Sequence, residues 1–120
     1  MENKIRVAVV GYGNLGKGVE SQIIKNPDME LVCIFTRRDP LSLKTNSSVP
    51  VVLTDEMEQW KDKIDVAFLC GGSATDLPVQ GPKFAKVFNT VCSFDIHAKE
   101  IEYTNAINEA AIEGGNIAMT

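Results

Sequence analysis

The sequence predicts an α/β fold, a doubly wound and mostly parallel sheet with helices on both faces. Three observations carry that reading. Short apolar runs alternate with stretches of helical period along the whole chain, the order that places crossover helices between parallel strands. The first run, Ile5-Arg6-Val7-Ala8-Val9-Val10, is broken only by Arg6, as expected of a strand buried on both faces. It leads directly into the glycine turn Gly11-Tyr12-Gly13-Asn14-Leu15-Gly16-Lys17-Gly18, and a helical period begins inside that turn.

The elements follow in order. Between Asn14 and Lys25, residues Leu15, Val19, Ile23 and Ile24 recur at helical spacing, and Asn26-Pro27-Asp28 ends the helix. Leu31 to Phe35 is the second strand. A polar stretch from Asp39 to Ser48 has no period. Val49 to Leu53 is a short third strand, weakened by Pro50. Thr54-Asp55-Glu56 can cap a short helix through Lys61, with Met57 and Trp60 on one face. Asp65 to Cys70 is the fourth strand, ended by Gly71-Gly72. Pro78, Gly81 and Pro82 interrupt helical pieces between Ser73 and Lys86. The fifth strand lies within Val87 to Cys92. His97 to Glu113 is the longest helical stretch, offering Ile101, Ala106, Ile107, Ala110 and Ala111 for one face. Gly114-Gly115 stops it, and Asn116 to Thr120 reads as the opening of a sixth strand. Domains seldom end on such an opening, so residues 1–120 are expected to be one domain of a longer protein.

Composition narrows the class. The chain has 120 residues, 44% hydrophobic and 23% charged, enough for one globular domain with a real core. Twelve basic residues against 16 acidic give a net charge of −4, and Arg37-Arg38 is the longest basic run. Nucleic-acid binding is disfavoured, whereas a single anion pocket is not. The three cysteines, Cys33, Cys70 and Cys92, are odd in number, form no C-x-x-C and lie in apolar stretches. They read as buried reduced thiols, which favours the cytoplasm. The first four residues have no signal-peptide layout, and no apolar stretch approaches the ~20 residues of a membrane span.

The glycine turn has two readings. Gly11-x-x-x-x-Gly16-Lys17 is most of a P-loop, but the Ser or Thr that would hold magnesium is replaced by Gly18. Gly11-x-Gly13-x-x-Gly16 fits a dinucleotide site position by position. Gly11 permits the tight turn, Gly13 lets backbone approach the pyrophosphate, and Gly16 lets helix pack on strand. The helix N-terminus then presents free N–H groups to the phosphates. Such a Rossmann-like fold binds ligands at the carboxyl ends of its strands. At the end of the second strand, where NAD-binding folds place Asp or Glu, this chain has Thr36-Arg37-Arg38. A neutral hydroxyl and two guanidiniums suit a 2′-phosphate, so the expected cofactor is NADP. The competing readings are a turn without a ligand and a solvated basic pair.

Two further strand ends face the same crevice. Cys70-Gly71-Gly72-Ser73 is small enough for backbone to pass under the nicotinamide half, and Ser73 is also a candidate N-cap with Asp76 at N3. In Ser93-Phe94-Asp95-Ile96-His97, Asp95 suits a substrate ammonium or the cap of the next helix. His97, the only histidine, has no metal partner or nucleophile spaced beside it and is more often structural or solvated.

These blocks together resemble the meso-diaminopimelate dehydrogenase family: Val10 to Gly16, Asn26-Pro-Asp-Met29, Phe35-Thr-Arg-Arg38, Leu69-Cys-Gly-Gly-Ser-Ala-Thr-Asp76, and Ser93-Phe-Asp95 with His97. The likeness runs from the first strand to the last residue and covers the cofactor half of such an enzyme. It implies NADP-dependent oxidative deamination of meso-2,6-diaminopimelate at its D-centre, giving L-2-amino-6-oxopimelate and ammonia. By that resemblance Tyr12 to Leu15, Thr36 to Arg38, Cys70 to Ser73 and Ser93 to Asp95 fall on cofactor-contacting segments. Asp95 also falls on a residue contacting the reacting amino end of the substrate. Dimerisation and most substrate contacts would come from a further domain. Two other readings use the same cofactor domain: a reductase of a related imine or aldehyde acid, and a nucleotide-sensing module without turnover.

Overall fold

The computed structural model describes residues 4–37, 39–45, 47–72, 76–92 and 97–119. The strands are β1 (Ile5–Val10), β2 (Met29–Thr36), β3 (Val51–Leu53), β4 (Val66–Leu69), β5 (Asn89–Cys92) and β6 (Ala118–Met119). They form one sheet in the order β3-β2-β1-β4-β5-β6, and every neighbouring pair is parallel. β1 lies centrally, with Val10 level with Phe35 of β2 on one side and with Leu69 of β4 on the other. The order reverses between β1 and β4, which opens a crevice at their carboxyl ends.

Three helices connect the strands: α1 (Asn14–Lys25), α2 (Leu77–Ala85) and α3 (Glu100–Gly114). Against α2 and α3 the sheet presents Ala8, Val10, Cys33, Phe35, Ala67, Leu69 and Cys92, which pack with Phe84, Phe88, Tyr103 and Ile107. The Phe35 ring meets Phe84 edge-on with centroids 5.3 Å apart, a favoured aromatic geometry. The opposite face buries Val7, Val9 and Ile34 with Tyr12 and Ile23, where α1 packs on β1 and β2. Beside α1, on this second face, runs an open groove of about 1050 Å³ lined by Val19, Ile23, Met29, Phe68 and Val91 among others.

Arg6, the one polar residue in β1, sits at the opposite end from the crevice. Its Nη2 and Nε donate to the two oxygens of Asp65 at 2.9 and 3.2 Å, and Nη1 donates to the Asp62 carbonyl at 2.9 Å. The Arg6 hydrogen bonds hold the Asp65 carboxyl below its ordinary pKa.

Several details differ from the sequence reading. α1 buries Gly16, Glu20 and Ile23, while Leu15 and Ile24 are exposed, because the close strand contact is made by the small and polar positions. Thr54–Lys63 is a 3-10 helix entered from Leu53 without a side-chain cap. α2 is continuous through Pro82, with Pro78 in its first turn where no N–H bond is lost. On α3 the buried positions are Tyr103, Ile107, Ala110 and Ala111, and Ile101 points outward.

Candidate functional site: a cleft at the strand ends

Gly11 leaves β1 with φ +91°, a conformation that side chains disfavour. A Cβ at Gly11 would stand 3.3 Å from the Gly71 nitrogen, so the turns after β1 and β4 nearly touch. A Cβ at Gly16 would lie 2.2 Å from the Gly11 carbonyl oxygen; this glycine exists for packing. A Cβ at Gly13 would meet nothing within 4 Å, so its bareness serves no contact inside the described chain. Gly13 is also the N-cap of α1, whose first turn has no acidic residue. No acidic side chain of that turn opposes an anion at its N–H groups.

The turn is braced from below. Tyr12 is buried and its hydroxyl donates to the fully buried Glu20 at 2.5 Å. The other Glu20 oxygen accepts the Ser47 hydroxyl at 2.6 Å. One carboxylate thus joins the glycine turn, α1 and the loop before β3.

Above the turn is a cleft of about 290 Å³. The glycine turn (Gly11, Tyr12, Gly13) forms its floor, Thr36 and Arg37 one wall, and Cys70, Gly71 and Gly72 the other, with Asp76 and Gln80 at the side. Thr36, at the end of β2, is buried. Arg37 is 65% exposed, and its Nη2 lies 2.6 Å from Oδ1 of Asp76, which is 18% exposed; the contact is an ion pair by distance but is not aligned as a hydrogen bond. Asp76 Oδ2 accepts the Gly72 N–H at 3.0 Å. One helical turn on, Gln80 is buried and its carboxamide oxygen has no hydrogen-bond partner among the described residues. A Cβ at Gly71 would come within 2.6 Å of the Asp76 Cβ and 3.0 Å of that oxygen, so this side of the cleft closes only on glycine.

Burial favours the protonated form of the three thiols. All three are free. Burial pushes Cys70 up to about 11 and Cys33 up to about 12. Burial also raises Cys92, against the opposing hydrogen bond with the Tyr103 hydroxyl at 3.1 Å. No group of three or more His, Cys, Asp or Glu that could hold a metal occurs among the described residues.

The expected site residues Gly11, Tyr12, Gly13, Thr36, Arg37, Cys70, Gly71 and Gly72 therefore meet in one cleft. Asn14 and Leu15 line the neighbouring groove, which Cys70 also borders, and Gly16 lies under the turn. Arg38, Ser73, Ser93, Phe94 and Asp95 lie outside the described residues. Asp76 has a different place from the expected one: α2 begins at Leu77, so Asp76 is the N-cap position and not N3, and its side chain does not cap the helix. Sequence reasoning passed over Asp76, Gln80 and Glu20 as site residues. The spacing of Asp76 and Gln80, four residues apart at the start of a helix just past a strand end, was the available signal.

Strand order, crossover position and glycine turn define a Rossmann-type α/β domain, the class that receives dinucleotides in this crevice. No family model matches the chain. It is 56% identical over 117 residues to the meso-diaminopimelate D-dehydrogenase of Ureibacillus thermosphaericus, covering 98% of this chain and 36% of that protein. Among solved structures, an engineered D-amino acid dehydrogenase bound to NADP+ superimposes with a TM-score of 0.88 at 46% identity, over 97% of this chain and 35% of that one. The Corynebacterium glutamicum DAP dehydrogenase in complex with DAP gives 0.87 at 47%, over 96% and 35%. The chain thus spans about a third of the length of the relatives it matches.

Proposed function

We propose that these residues are the NADP-binding domain of a longer meso-diaminopimelate dehydrogenase. The observation that carries the reading is the pairing of an open Gly13 at the α1 N-terminus with Thr36-Arg37 at the end of β2. The residues fit the cofactor. The Gly13 backbone and the first N–H groups of α1 would hold the pyrophosphate, while Thr36, Arg37 and Arg38 would hold the 2′-phosphate of the adenosine ribose. Cys70, Gly71 and Gly72, with Ser73, would lie along the remaining cofactor path, and Ser93, Phe94 and Asp95 beside the nicotinamide half. When bound, NADP+ supplies a hydride acceptor. The chain's own part is orientation: Asp95 would hold the ammonium of the D-centre so that its carbon faces the acceptor. Residues from outside this chain would bind the distal amino-acid end. A cytoplasmic homodimer, assembled through those outside regions, goes with this reading.

The half-uncovered sheet face and the threefold longer relatives support the domain assignment. On this reading the 120 residues alone bind NADP weakly and form no NADPH from diaminopimelate. Titration calorimetry with NADP, NAD and Mg·ATP tests the cofactor. NADP should bind tightest, and changing Arg37 and Arg38 together to Ala should weaken it by roughly 2–4 kcal/mol, on the scale of charge-assisted hydrogen bonds. NAD should barely respond. Equal losses for both coenzymes, or a preference for Mg·ATP, would overturn the reading.

A further inference from the structure

We infer that Asp76 is a specificity-determining residue that competes with the 2′-phosphate for Arg37. The inference rests on the NADP reading above and adds a group that the reading does not use. Arg37 is the cleft's cation at the end of β2 among the described residues, and it is already engaged: its Nη2 stands 2.6 Å from Asp76 Oδ1, across the cleft from its own strand. Asp76 is held in place independently, since its second oxygen accepts the Gly72 N–H and its Cβ abuts Gly71. The carboxylate is mostly buried while the guanidinium is mostly exposed. The partner free to move is therefore Arg37.

Two consequences follow from charge. A phosphate that engages Arg37 must take it from Asp76 or share it, and sharing places two anions on one guanidinium. A 2′-hydroxyl, being neutral, meets no such opposition. Asp76 thus lowers NADP affinity selectively, because the cation that would read the phosphate is already paired. The arrangement sets a ceiling on retention of the phosphorylated coenzyme, which a reversible dehydrogenase must release in every cycle.

The test is calorimetric titration of wild type, Asp76→Asn and Arg37→Ala with NADP and NAD. Asn keeps an acceptor for the Gly72 N–H and removes the charge. Asp76→Asn should bind NADP about three- to tenfold more tightly, the scale of a partly exposed charge contact, with NAD changing less than twofold. Asp76→Ser, which keeps a shorter acceptor, repeats the measurement if the Asn variant melts early. Weaker NADP binding in both neutral variants would overturn the inference, because Asp76 would then be an organiser of Arg37 and not its competitor. Equal shifts for both coenzymes would overturn it as well. A wild type that does not favour NADP, or an Arg37→Ala variant that loses nothing, would instead overturn the NADP reading itself.

Discussion

Gly13 and Gly16 separate two roles that a glycine motif merges. At Gly16 an added methyl strikes the Gly11 carbonyl oxygen, so Gly16→Ala must shift the helix from the strand. Overpacking of this kind costs about 1–3 kcal/mol, and thermal melting without ligand should show it. At Gly13 the methyl meets open space and φ is −88°, so Gly13→Ala should lower stability by no more than about 1 kcal/mol, the scale of an N-cap change. Coenzyme affinity should nevertheless fall at least tenfold, because the methyl occupies the path of the pyrophosphate. A Gly13→Ala protein that binds NADP normally would show that the turn serves folding alone. Tyr12 makes the complementary case. Tyr12→Phe leaves buried Glu20 with one hydroxyl donor fewer, a loss of about 1–3 kcal/mol measurable by urea unfolding. The glycines were legible in the sequence because their spacing is local. The Tyr12–Glu20–Ser47 link was not: nothing in the spacing marks Glu20 as inward-facing when Leu15 and Ile24 offer a more apolar stripe. Close contact with β1 selected the glycine face, and Glu20 came with it.

At the scale of elements, β1 and β4 are tied at both ends. At the crevice end the Cys70 N–H donates to the Val10 carbonyl at 2.8 Å; at the far end Arg6 grips Asp65. The hydrogen bonds from Arg6 hold the folded Asp65 carboxyl below its ordinary value of 3.8. In acid, therefore, the unfolded chain takes up its proton first. Stabilisation by this pair is complete above that ordinary value and is lost as pH falls through it toward the lowered folded value. Urea midpoints measured from pH 7 to pH 2 should fall less steeply below about pH 4 in Asp65→Asn than in wild type. Parallel acid limbs would show that the pair contributes nothing specific. β1, β2 and β4 were readable from their apolar runs, and even Arg6 did not hide β1; β5, which opens with Asn89 and Thr90, and the short β6 were placed only to within a few residues. Helix starts were less readable. Among the described residues α2 begins at Leu77, Asp76 folds back onto Gly72, and its partner Arg37 is remote in sequence. A long-range ion pair leaves no local pattern, so the cleft's side wall had to be seen in three dimensions.

For the molecule as a whole, the unequal cover of the two sheet faces is the decisive feature. A parallel sheet is stable when both faces are buried. α2 and α3 close one face, while on the other, among the described residues, α1 packs mainly on β1 and β2, with Leu43 and Val49 beside it. Phe68 and Val91 line the open groove beside it, and Met119 of the edge strand β6 is 62% exposed. If the remaining two thirds of a longer protein supplies the cover, the 120-residue chain by itself must present this surface to water. It should then enhance anilinonaphthalene sulfonate fluorescence under native conditions and associate reversibly as its concentration rises. Because the dye can also enter the nucleotide cleft and the end of the groove at Asn14, Leu15 and Cys70, the measurement is made with saturating NADP, which leaves the rest of the groove as the remaining site. Val91→Thr, nearly unchanged in shape but polar, should reduce both signals without altering NADP affinity. Dye fluorescence at background, together with a monomer at every concentration in sedimentation, would mean that the face is not an open apolar surface, and the proposal of a missing covering segment would lose its physical ground.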